Sequence, residues 1–250
     1  MMPIGLLILL IVLFFVTTAV GVVTGSNSLI TVPVMFEMGI EPKTAIATNM
    51  FGLTFMAIGA TIPFYRKGLI DVRGLAPFVG LTLVGSAIGA FIVGLVKADW
   101  IPFIISAAMI AIGLFILFRR DTGSDAGKKE ITTRTRIGVF IAAFLLAIYG
   151  GFYSGGYMTV LTAVFVAFAG MSFSEAIAGT KFLNLFSSSI ATLVFMWQGF
   201  VDYKLGLILA VTMFVAAYVG AKTVTRLNDI WLKRIFLVVI FGLAAKMLLF

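Results

Sequence analysis

The sequence predicts an all-α protein that crosses a membrane several times. Hydrophobic residues make up 62% of its 250 residues and charged residues only 11%, whereas soluble domains are about half apolar and about one quarter charged. Apolar runs of about 17 to 25 residues, the length of a transmembrane helix, recur along nearly the whole chain. A membrane β-barrel would instead show shorter strands that alternate polar and apolar residues. We therefore expect the spans to be helices.

The composition also excludes several classes of function. The sequence contains no cysteine and no histidine, which excludes disulfides, thiolate nucleophiles, histidine-based acid–base catalysis, haem and the usual zinc sites, so no cofactor is expected. The net charge of +8 does not indicate nucleic-acid binding, because the basic residues cluster between apolar segments, as in cytoplasmic loops. The lipid bilayer, and no nucleic acid, is the expected partner of these charges.

One long hydrophilic stretch divides the chain near its middle. It covers residues 118–136 and is rich in Gly, Ser, Thr and charged residues, which predicts a loop. We expect a first membrane repeat over residues 1–118, a cytoplasmic linker loop over 119–136 and a second membrane repeat over 137–250.

The second half matches the first at a separation of 130 or 131 residues. Three separate blocks at nearly one offset, with a tryptophan among them, predict an internal duplication into two homologous halves. The matching positions are Gly21, Thr24 and Gly25 with Gly151, Ser154 and Gly155, residues 68–71 with 199–202, Gly89 and Ala90 with Gly220 and Ala221, and Trp100 with Trp231.

Each half is expected to contain a broken first segment followed by three ordinary helices. Residues 4–38 carry one charge, and as a single helix they would extend about 52 Å across a hydrocarbon core of about 30 Å. A break is expected near residues 24–28, which leaves residues 28–38 as a half-helix or re-entrant segment, with 158–169 as the counterpart. The total, with broken or re-entrant half-helices included, is eight to ten membrane segments. The six ordinary helices are expected at residues 44–64, 72–96, 101–118, 175–197, 203–223 and 231–250.

The distribution of lysine and arginine predicts the topology. An odd number of crossings in each half inverts the second half and places thirteen of these residues on the cytoplasmic side and four outside. An even number makes the halves parallel and gives eleven against six. The positive-inside rule favours inverted-topology repeats. We therefore expect a multi-pass protein of the cell (inner) membrane, with its N-terminus outside and the loop 119–136 in the cytoplasm.

The two expected breaks, "VTGSNSL" and "YSGGYMT", are unusually polar for membrane segments. Such groups are tolerated only where protein or a watery cavity surrounds them. Each break can start a short helix whose free N-terminal amides attract an anion, and close helix packing through small residues is the alternative. The candidate substrate-binding residues at the breaks are Thr24, Gly25, Ser26, Asn27, Ser28, Ser154, Gly155, Gly156 and Tyr157.

The helices that follow the breaks carry the other candidates, Thr48 and Asn49 in the first half and Thr180, Lys181 and Asn184 in the second. Lys181 and Asn184 are three residues apart, and Thr180 and Asn184 are four apart, which places these polar side chains on one helix face. We take Asn49 and Lys181 as matching positions. A lysine at the centre of a membrane helix costs roughly 2.5 to 3.5 kcal/mol, and no acidic residue within helical reach follows it. A bound anion is the expected partner, and snorkelling to the membrane surface is the alternative.

With its repeat, its broken first segment and the block "AGTKFLNLFSSS…GFVDYKLG", the chain resembles the sulfite exporter TauE/SafE family of membrane permeases over essentially all 250 residues. Family members typically show "GxGGG…P", "A-x-x-T-[SN]", "G-T-[SN]-K" and "G-x-[VI]-[DN]" motifs. In this chain the run of glycines is replaced by "GVVTGSNS" and "GFYSGGYM". The resemblance implies transport of small anions such as sulfite, sulfonates and related organic acids. The matching stretches are residues 21–33, 45–49, 179–181 and 199–202.

These observations favour a secondary transporter, a permease or exporter, that moves a small anion such as sulfite, an organosulfonate or a short organic acid by alternating access. A passive anion channel and a non-transporting membrane assembly subunit are the alternatives. An enzyme is not expected, because without histidine and cysteine only Lys181 with Ser187 or Ser188 could form a reactive pair. Coupling to a proton or a sodium ion agrees with the sequence, and a symmetric homodimer is expected from base rates alone.

Overall fold

The computed structural model describes residues 4–25, 27–118, 133–228, 230–231 and 234, and the regular secondary structure of these residues is helical throughout. Six of the described helices are long and apolar enough to cross a membrane, namely α1, α3, α4, α6, α8 and α9. The helices are α1 (Ile4–Thr24), α2 (Ser28–Glu37), α3 (Pro42–Arg66), α4 (Val72–Leu95), α5 (Ile101–Phe118), α6 (Thr133–Phe152), α7 (Tyr157–Phe168), α8 (Phe173–Trp197) and α9 (Tyr203–Val224), with a 3-10 turn (Ala98–Trp100) before α5.

The predicted helical architecture is confirmed, including a break after α1 and short helices of 10 and 12 residues in α2 and α7. One boundary differs, because α6 begins at Thr133, inside the predicted loop. Arg134 and Arg136 are exposed on its first turns, so the helix extends past the apolar run that predicted it. The final predicted helix, 231–250, and the rest of the loop fall almost wholly outside the described residues.

Helices α6 to α9 follow the same order of lengths as α1 to α4, namely one long helix, one short helix and two long helices. Helices α3 and α8 are both 25 residues long, and their first residues are 131 positions apart in the sequence. The first residues of α4 and α9 are also 131 positions apart. The packing is exchanged between the halves, because α4 packs on α6 whereas α9 packs on α1. Both crossings require a glycine: Gly89 lies against the α6 backbone, and a Cβ on Gly220 would lie 2.6 Å from the Ala19 carbonyl oxygen.

Four of the spans have an N-cap residue. Its side chain accepts a hydrogen bond from a backbone amide of the first helical turn, which has no partner within the helix. The caps of corresponding helices are separated by 131 residues. Corresponding helices of the two halves therefore begin at corresponding sequence positions. The capping residues are Glu41 for α3, Asp71 for α4, Ser172 for α8 and Asp202 for α9.

The contacts at the helix ends define two ends of the molecule. Lys43, at the start of α3, donates a hydrogen bond of 3.0 Å to the Gly94 carbonyl at the end of α4. Its ammonium also lies 5.2 Å from the centre of the Phe200 ring, in the connection between α8 and α9. We call this the Lys43 end and the opposite one the Arg66 end, after the last residue of α3. Because α3 begins where α8 ends, these two helices are antiparallel.

Helices α3 and α8 form the centre of the described structure. Within an apolar stretch of 18 residues in each candidate span, 72% of the residues are buried in α3 and 61% in α8. In the other four spans the buried share is 28% to 44%. Helix α8 runs parallel to α4, because Leu75 packs against Gly179 near the starts of both helices and Phe91 stacks on Trp197 near their ends. The predicted site residues on these two helices are buried in protein, namely Thr48, Asn49, Thr180, Lys181 and Asn184.

Candidate functional site

The break between α1 and α2 and the break between α6 and α7 lie directly against each other. The Thr159 hydroxyl donates a hydrogen bond of 2.6 Å to the Thr24 carbonyl, and the Tyr153 hydroxyl donates one of 2.8 Å to the Ser28 carbonyl. The last carbonyls of a helix have no partner within it, so the second break completes the end of α1. The two polar stretches that the sequence singled out therefore meet in one place.

A glycine makes this close approach possible. Gly25 has a φ of +71°, and a Cβ there would lie 2.5 Å from the Met158 Cβ. Gly156, the residue before α7, has a φ of +77°, which also favours glycine because L-residues rarely adopt such angles. Ser26, another predicted site residue, lies outside the described residues.

The backbone of the second break is largely committed to its own turn. The Ser154 carbonyl accepts a hydrogen bond of 3.3 Å from the Tyr157 amide. The Gly155 carbonyl accepts one of 2.6 Å from the Tyr149 hydroxyl. The backbone carbonyls of Ser154 and Gly155 thus shape the break.

A cluster of polar side chains joins α2 to α3 in the first half. The Asn49 carboxamide accepts a hydrogen bond of 2.8 Å from Thr31 and donates one of 3.0 Å to the Ser28 hydroxyl. The Asn27 side chain donates a hydrogen bond of 3.1 Å to Thr18, but its buried oxygen Oδ1 has no partner in the described part of the chain. The structure brings together Asn27, Ser28 and Asn49 as predicted neighbours.

The second half contains the counterpart of this cluster. The hydroxyls of Thr162 and Thr180 lie 3.2 Å apart, and this contact repeats, 131 residues later, the bond between Asn49 and α2. Asn49 therefore corresponds to Thr180, and Lys181 corresponds to Met50. The predicted match of Asn49 with Lys181 is wrong by one residue, because the offset of the helices is 131 and not 132.

Lys181 lies inside the protein and is only 1% exposed. Its ammonium donates a hydrogen bond of 2.9 Å to the Gly21 carbonyl and lies 3.7 Å from the Met158 sulfur. Gly21 belongs to the last turn of α1, where the helix dipole favours a positive charge. The snorkelling alternative is wrong for this structure, because the side chain is directed to the break and not to the surface.

Asn184 lies one turn beyond Lys181 on the same face of α8. Asn184 is 1% exposed, and its side-chain nitrogen Nδ2 has no hydrogen-bond partner among the described residues. A buried amide without a partner loses the hydrogen bonds that it made to water. Of the three α8 side chains that the sequence predicted on one face, Lys181 and Asn184 are therefore both donors with unused capacity.

The serines of α8 do not form a catalytic pair with the lysine. The Ser188 hydroxyl donates a hydrogen bond of 2.6 Å to the Asn184 carbonyl, and the hydroxyls of Ser187 and Ser86 lie 2.7 Å apart. The Lys181 ammonium contacts neither serine. This geometry gives no support to the intramembrane enzyme, for which one of these serines would need activation by the lysine.

Thr48 does not belong to the site. It is fully buried on α3, and its hydroxyl accepts a hydrogen bond of 3.0 Å from the Asp202 amide. It therefore fixes the turn before α9 at the Lys43 end. The sequence included Thr48 because of its place in a motif, and one residue further along α3 the Asn49 side chain is directed into the cluster.

Tyr157 is a predicted site residue of the second break. Its hydroxyl lies near Thr82 and Ser187 but makes no hydrogen bond of good geometry to any described residue.

Sequence reasoning also missed several polar residues around the breaks. Extending the offset of 131 residues to the half-helices would have paired position 31 with position 162, just as it pairs position 49 with position 180. The missed residues are Thr18, Thr31, Thr82, Ser86, Tyr153, Thr159 and Thr162.

The whole chain is similar to bacterial membrane proteins. It is 28% identical over 247 residues to the "Probable membrane transporter protein ORF9" of Sinorhizobium sp, covering 97% of this chain and 92% of the relative. It is 29% identical to the "Probable membrane transporter protein YfcA" of Escherichia coli K12, covering 96% and 90%. A "Probable membrane transporter protein" of Haemophilus influenzae is 25% identical, covering 98% and 95%.

No solved structure matches the chain. The family model described as "Sulfite exporter TauE/SafE" matches residues 9–247, which include both breaks and every described span from α3 onward. The names of the relatives indicate a membrane transporter and not an enzyme. The chain is thus a multi-pass membrane protein that belongs to the sulfite exporter TauE/SafE family of membrane transporters.

Proposed function

We propose that the protein is a secondary transporter of a small anion, such as sulfite, an organosulfonate or a short organic acid, and that it works by alternating access. The observation that carries this proposal is the environment of Lys181. Its ammonium is buried beside the two breaks, with one carbonyl and one thioether as described partners. An ammonium has three N–H donors. An anion at the breaks supplies the acceptors and the negative charge that this group lacks.

The neighbours of Lys181 favour an anion over a cation. Asn184, on the same helix face, offers an amide nitrogen without a partner among the described residues. No carboxylate pairs with Lys181 in the part of the chain that the structure describes. Anionic oxygens accept hydrogen bonds and offer none, and charge strengthens each of those bonds. Sulfite, sulfonates and carboxylates share this chemistry.

The half-helices strengthen the attraction. Helices α2 and α7 both begin at the breaks, where the helix dipole is positive. The residues before them, Asn27 and Gly156, make no side-chain capping bond within the described structure. Broken helices that meet between two repeats are typical of transporters in which the repeats rock against each other around a central site.

We also propose that the two halves are inverted repeats, an arrangement that many alternating-access transporters share. The antiparallel packing of α3 and α8 supports inversion, because these helices are counterparts. The basic residues of the described helices and their connections support an orientation with the Arg66 end in the cytoplasm of a cell whose inner membrane holds the protein. Apart from Lys181 in the interior, seven lie at that end and three at the Lys43 end, namely Arg66, Lys67, Arg73, Arg134, Arg136, Lys222 and Arg226 against Lys43, Lys97 and Lys204.

Uptake into liposomes tests the proposal. The purified protein is reconstituted, and uptake of sulfite, sulfoacetate, taurine and short carboxylates is compared between the wild type, Lys181→Gln and Lys43→Gln. Lys43 is a matched control, because it also donates to a carbonyl at a helix end. We expect Lys181→Gln to reduce uptake at least about tenfold, because it removes a hydrogen bond from a charged donor to the anion. Lys43→Gln should change uptake little. Unchanged uptake of every transported anion by Lys181→Gln would contradict the central role of this lysine.

Counterflow separates transport from the alternatives. A transporter exchanges labelled anion against unlabelled anion on the other side and saturates. A passive channel gives steady currents in planar bilayers that exceed transporter turnover. A membrane assembly subunit binds none of the anions.

A further inference from the structure

We propose that Lys181 also carries the coupling proton: its amine takes up one proton with each monovalent anion and releases that proton when the anion leaves. This inference rests on the proposed function, the movement of a small anion through the site at the breaks. It adds the co-transported ion and the group that carries it.

The usual proton carriers of membrane transporters are missing from the apolar segments. Buried carboxylates and histidines serve this role in pumps and transporters, and the sequence contains no histidine. Three of its ten acidic residues fall in the hydrophilic stretch between the halves, and Asp229, outside the described residues, precedes the last predicted helix. The six that the structure describes are all exposed at helix ends or in connections, namely Glu37, Glu41, Asp71, Asp99, Glu175 and Asp202.

The groups that face Lys181 leave its charge without a fixed counter-ion among the described residues. Helix α1 presents the Gly21 carbonyl and α7 presents the Met158 sulfur. The hydroxyls of Tyr149 and Tyr153 donate to backbone carbonyls of the breaks, and phenols are neutral near pH 7. The charged residues of the helices that pack on α8 lie near the ends of those helices, namely Lys43, Arg66, Arg73, Arg134 and Arg136.

This environment couples protonation to anion binding. A buried ammonium without a counter-ion is disfavoured relative to the neutral amine, whereas an anion at hydrogen-bonding distance favours the ammonium. Each event therefore promotes the other, as linkage requires. On loading, the amine nitrogen binds a proton from water and the anion binds to the ammonium; on release, the proton returns to water and no covalent bond of the anion changes. A monovalent anion and its proton together move no net charge.

The repeat limits this coupling to one proton per cycle. Met50 occupies the corresponding position of the first half and has no titratable group. It also provides a matched substitution, because Lys181→Met gives the second half the side chain that the first half already holds at that position, where it is 1% exposed. Lys181→Arg is the complementary variant, since the guanidinium stays charged at every accessible pH and releases no proton.

The experiment measures anion, proton and charge together in proteoliposomes. An internal pH dye reports protons, and valinomycin with a potassium gradient sets the membrane potential. Methanesulfonate is the main probe, because it stays an anion at every pH used and carries no proton of its own; sulfite is the second. For the wild type we expect one proton per methanesulfonate and an uptake rate that does not respond to the potential.

The variants should separate binding from coupling. We expect Lys181→Arg to retain methanesulfonate counterflow, to lose the associated proton movement, and to become sensitive to the potential. Lys181→Met should lose both the counterflow and the proton movement. Size-exclusion chromatography and thermal unfolding in detergent establish that each variant folds.

The outcomes distinguish the two proposals. Wild-type protein that moves methanesulfonate or sulfite with net charge and without a proton overturns the inference and leaves the proposed function standing. Wild-type protein that moves neither probe and none of the carboxylates of the uptake panel contradicts both. Proton movement that persists in a folded Lys181→Arg variant also overturns the inference. The wild-type measurement can overturn the inference even if the arginine variant does not fold.

Discussion

The Lys181 ammonium donates a hydrogen bond of 2.9 Å to the carbonyl oxygen of Gly21, which lies 160 residues earlier in the sequence. The contact joins the inner part of α8 to the last turn of α1, where the aligned peptide dipoles favour a cation. It uses one of the three N–H donors of the lysine. The remaining donors make the lysine a candidate ligand for an anion. Because these donors have no strong partners in the described structure, the buried lysine lowers the stability of the protein.

Replacing Lys181 by methionine should therefore separate stability from function. Methionine keeps most of the volume of the lysine stem and removes a buried charge that has no ionic partner among the described residues. Because apolar replacement of buried charges is often neutral or favourable, we expect the free energy of unfolding to stay unchanged or to rise by up to about 2 kcal/mol. Thermal unfolding in detergent measures this, with Lys43→Met as the control at a half-buried lysine. A large loss of stability would show that the bond to Gly21 is chiefly structural.

The unpartnered amide of Asn184 gives a second prediction. Leucine has nearly the same shape and leaves no unsatisfied donor, so Asn184→Leu should maintain stability or raise it by about 1 to 2 kcal/mol. If Asn184 binds the anion, the same variant should weaken anion uptake several-fold through a higher KM.

Asn49→Leu is the matched control for this change. The Asn49 amide bonds to both Thr31 and Ser28, so its removal should cost about 1 to 3 kcal/mol. Equal stability losses in the two leucine variants would contradict the idea that the Asn184 amide is free. Unchanged uptake kinetics in a stable Asn184→Leu protein would remove Asn184 from the site.

The meeting of the two breaks gives a third prediction, for which the chain offers an internal control. Gly25 and Gly39 both have a positive φ, but a Cβ on Gly25 would lie 2.5 Å from the Met158 Cβ, whereas one on Gly39 would have no described atom within 4 Å. Gly39→Ala should cost roughly 1 to 2 kcal/mol for the backbone angle. Gly25→Ala should cost roughly 1 to 3 kcal/mol more for the overlap, and it should also impair transport. Similar unfolding temperatures for the two variants would contradict the close packing of the breaks.

The helices of this protein could be predicted from the sequence because membrane spans depend on local composition and length. The expected segment 72–96 differs from α4 by one residue, and the half-helix expected at residues 28–38 corresponds to α2 with the same small difference. Bilayer thickness and backbone hydrogen bonding constrain such segments strongly. Tertiary contacts have no comparable local signal.

The candidate site was predictable only in part for this reason. Polarity within apolar segments identified Lys181 and Asn184, since each polar group in a membrane interior requires an explanation. Composition did not reveal that Tyr153 bonds across to Ser28, because 125 residues separate them. The mismatch of Asn49 with Lys181 arose from an error of one residue in the offset, which on a helix rotates a side chain by about 100°.

The proposed inversion gives the last prediction, and the absence of cysteine from the sequence makes it directly testable. Arg73 and Lys204 are both exposed at the second position of their helices, and they correspond in the repeat, being 131 residues apart. With inverted halves, equivalent positions lie on opposite sides of the membrane. In intact cells, a membrane-impermeant maleimide should therefore label Lys204→Cys from outside, and should label Arg73→Cys only after the cells are opened. Labelling of both cysteines from the same side would indicate parallel repeats, and labelling of Arg73→Cys alone from outside would keep the inversion but reverse the orientation that the positive-inside rule favours.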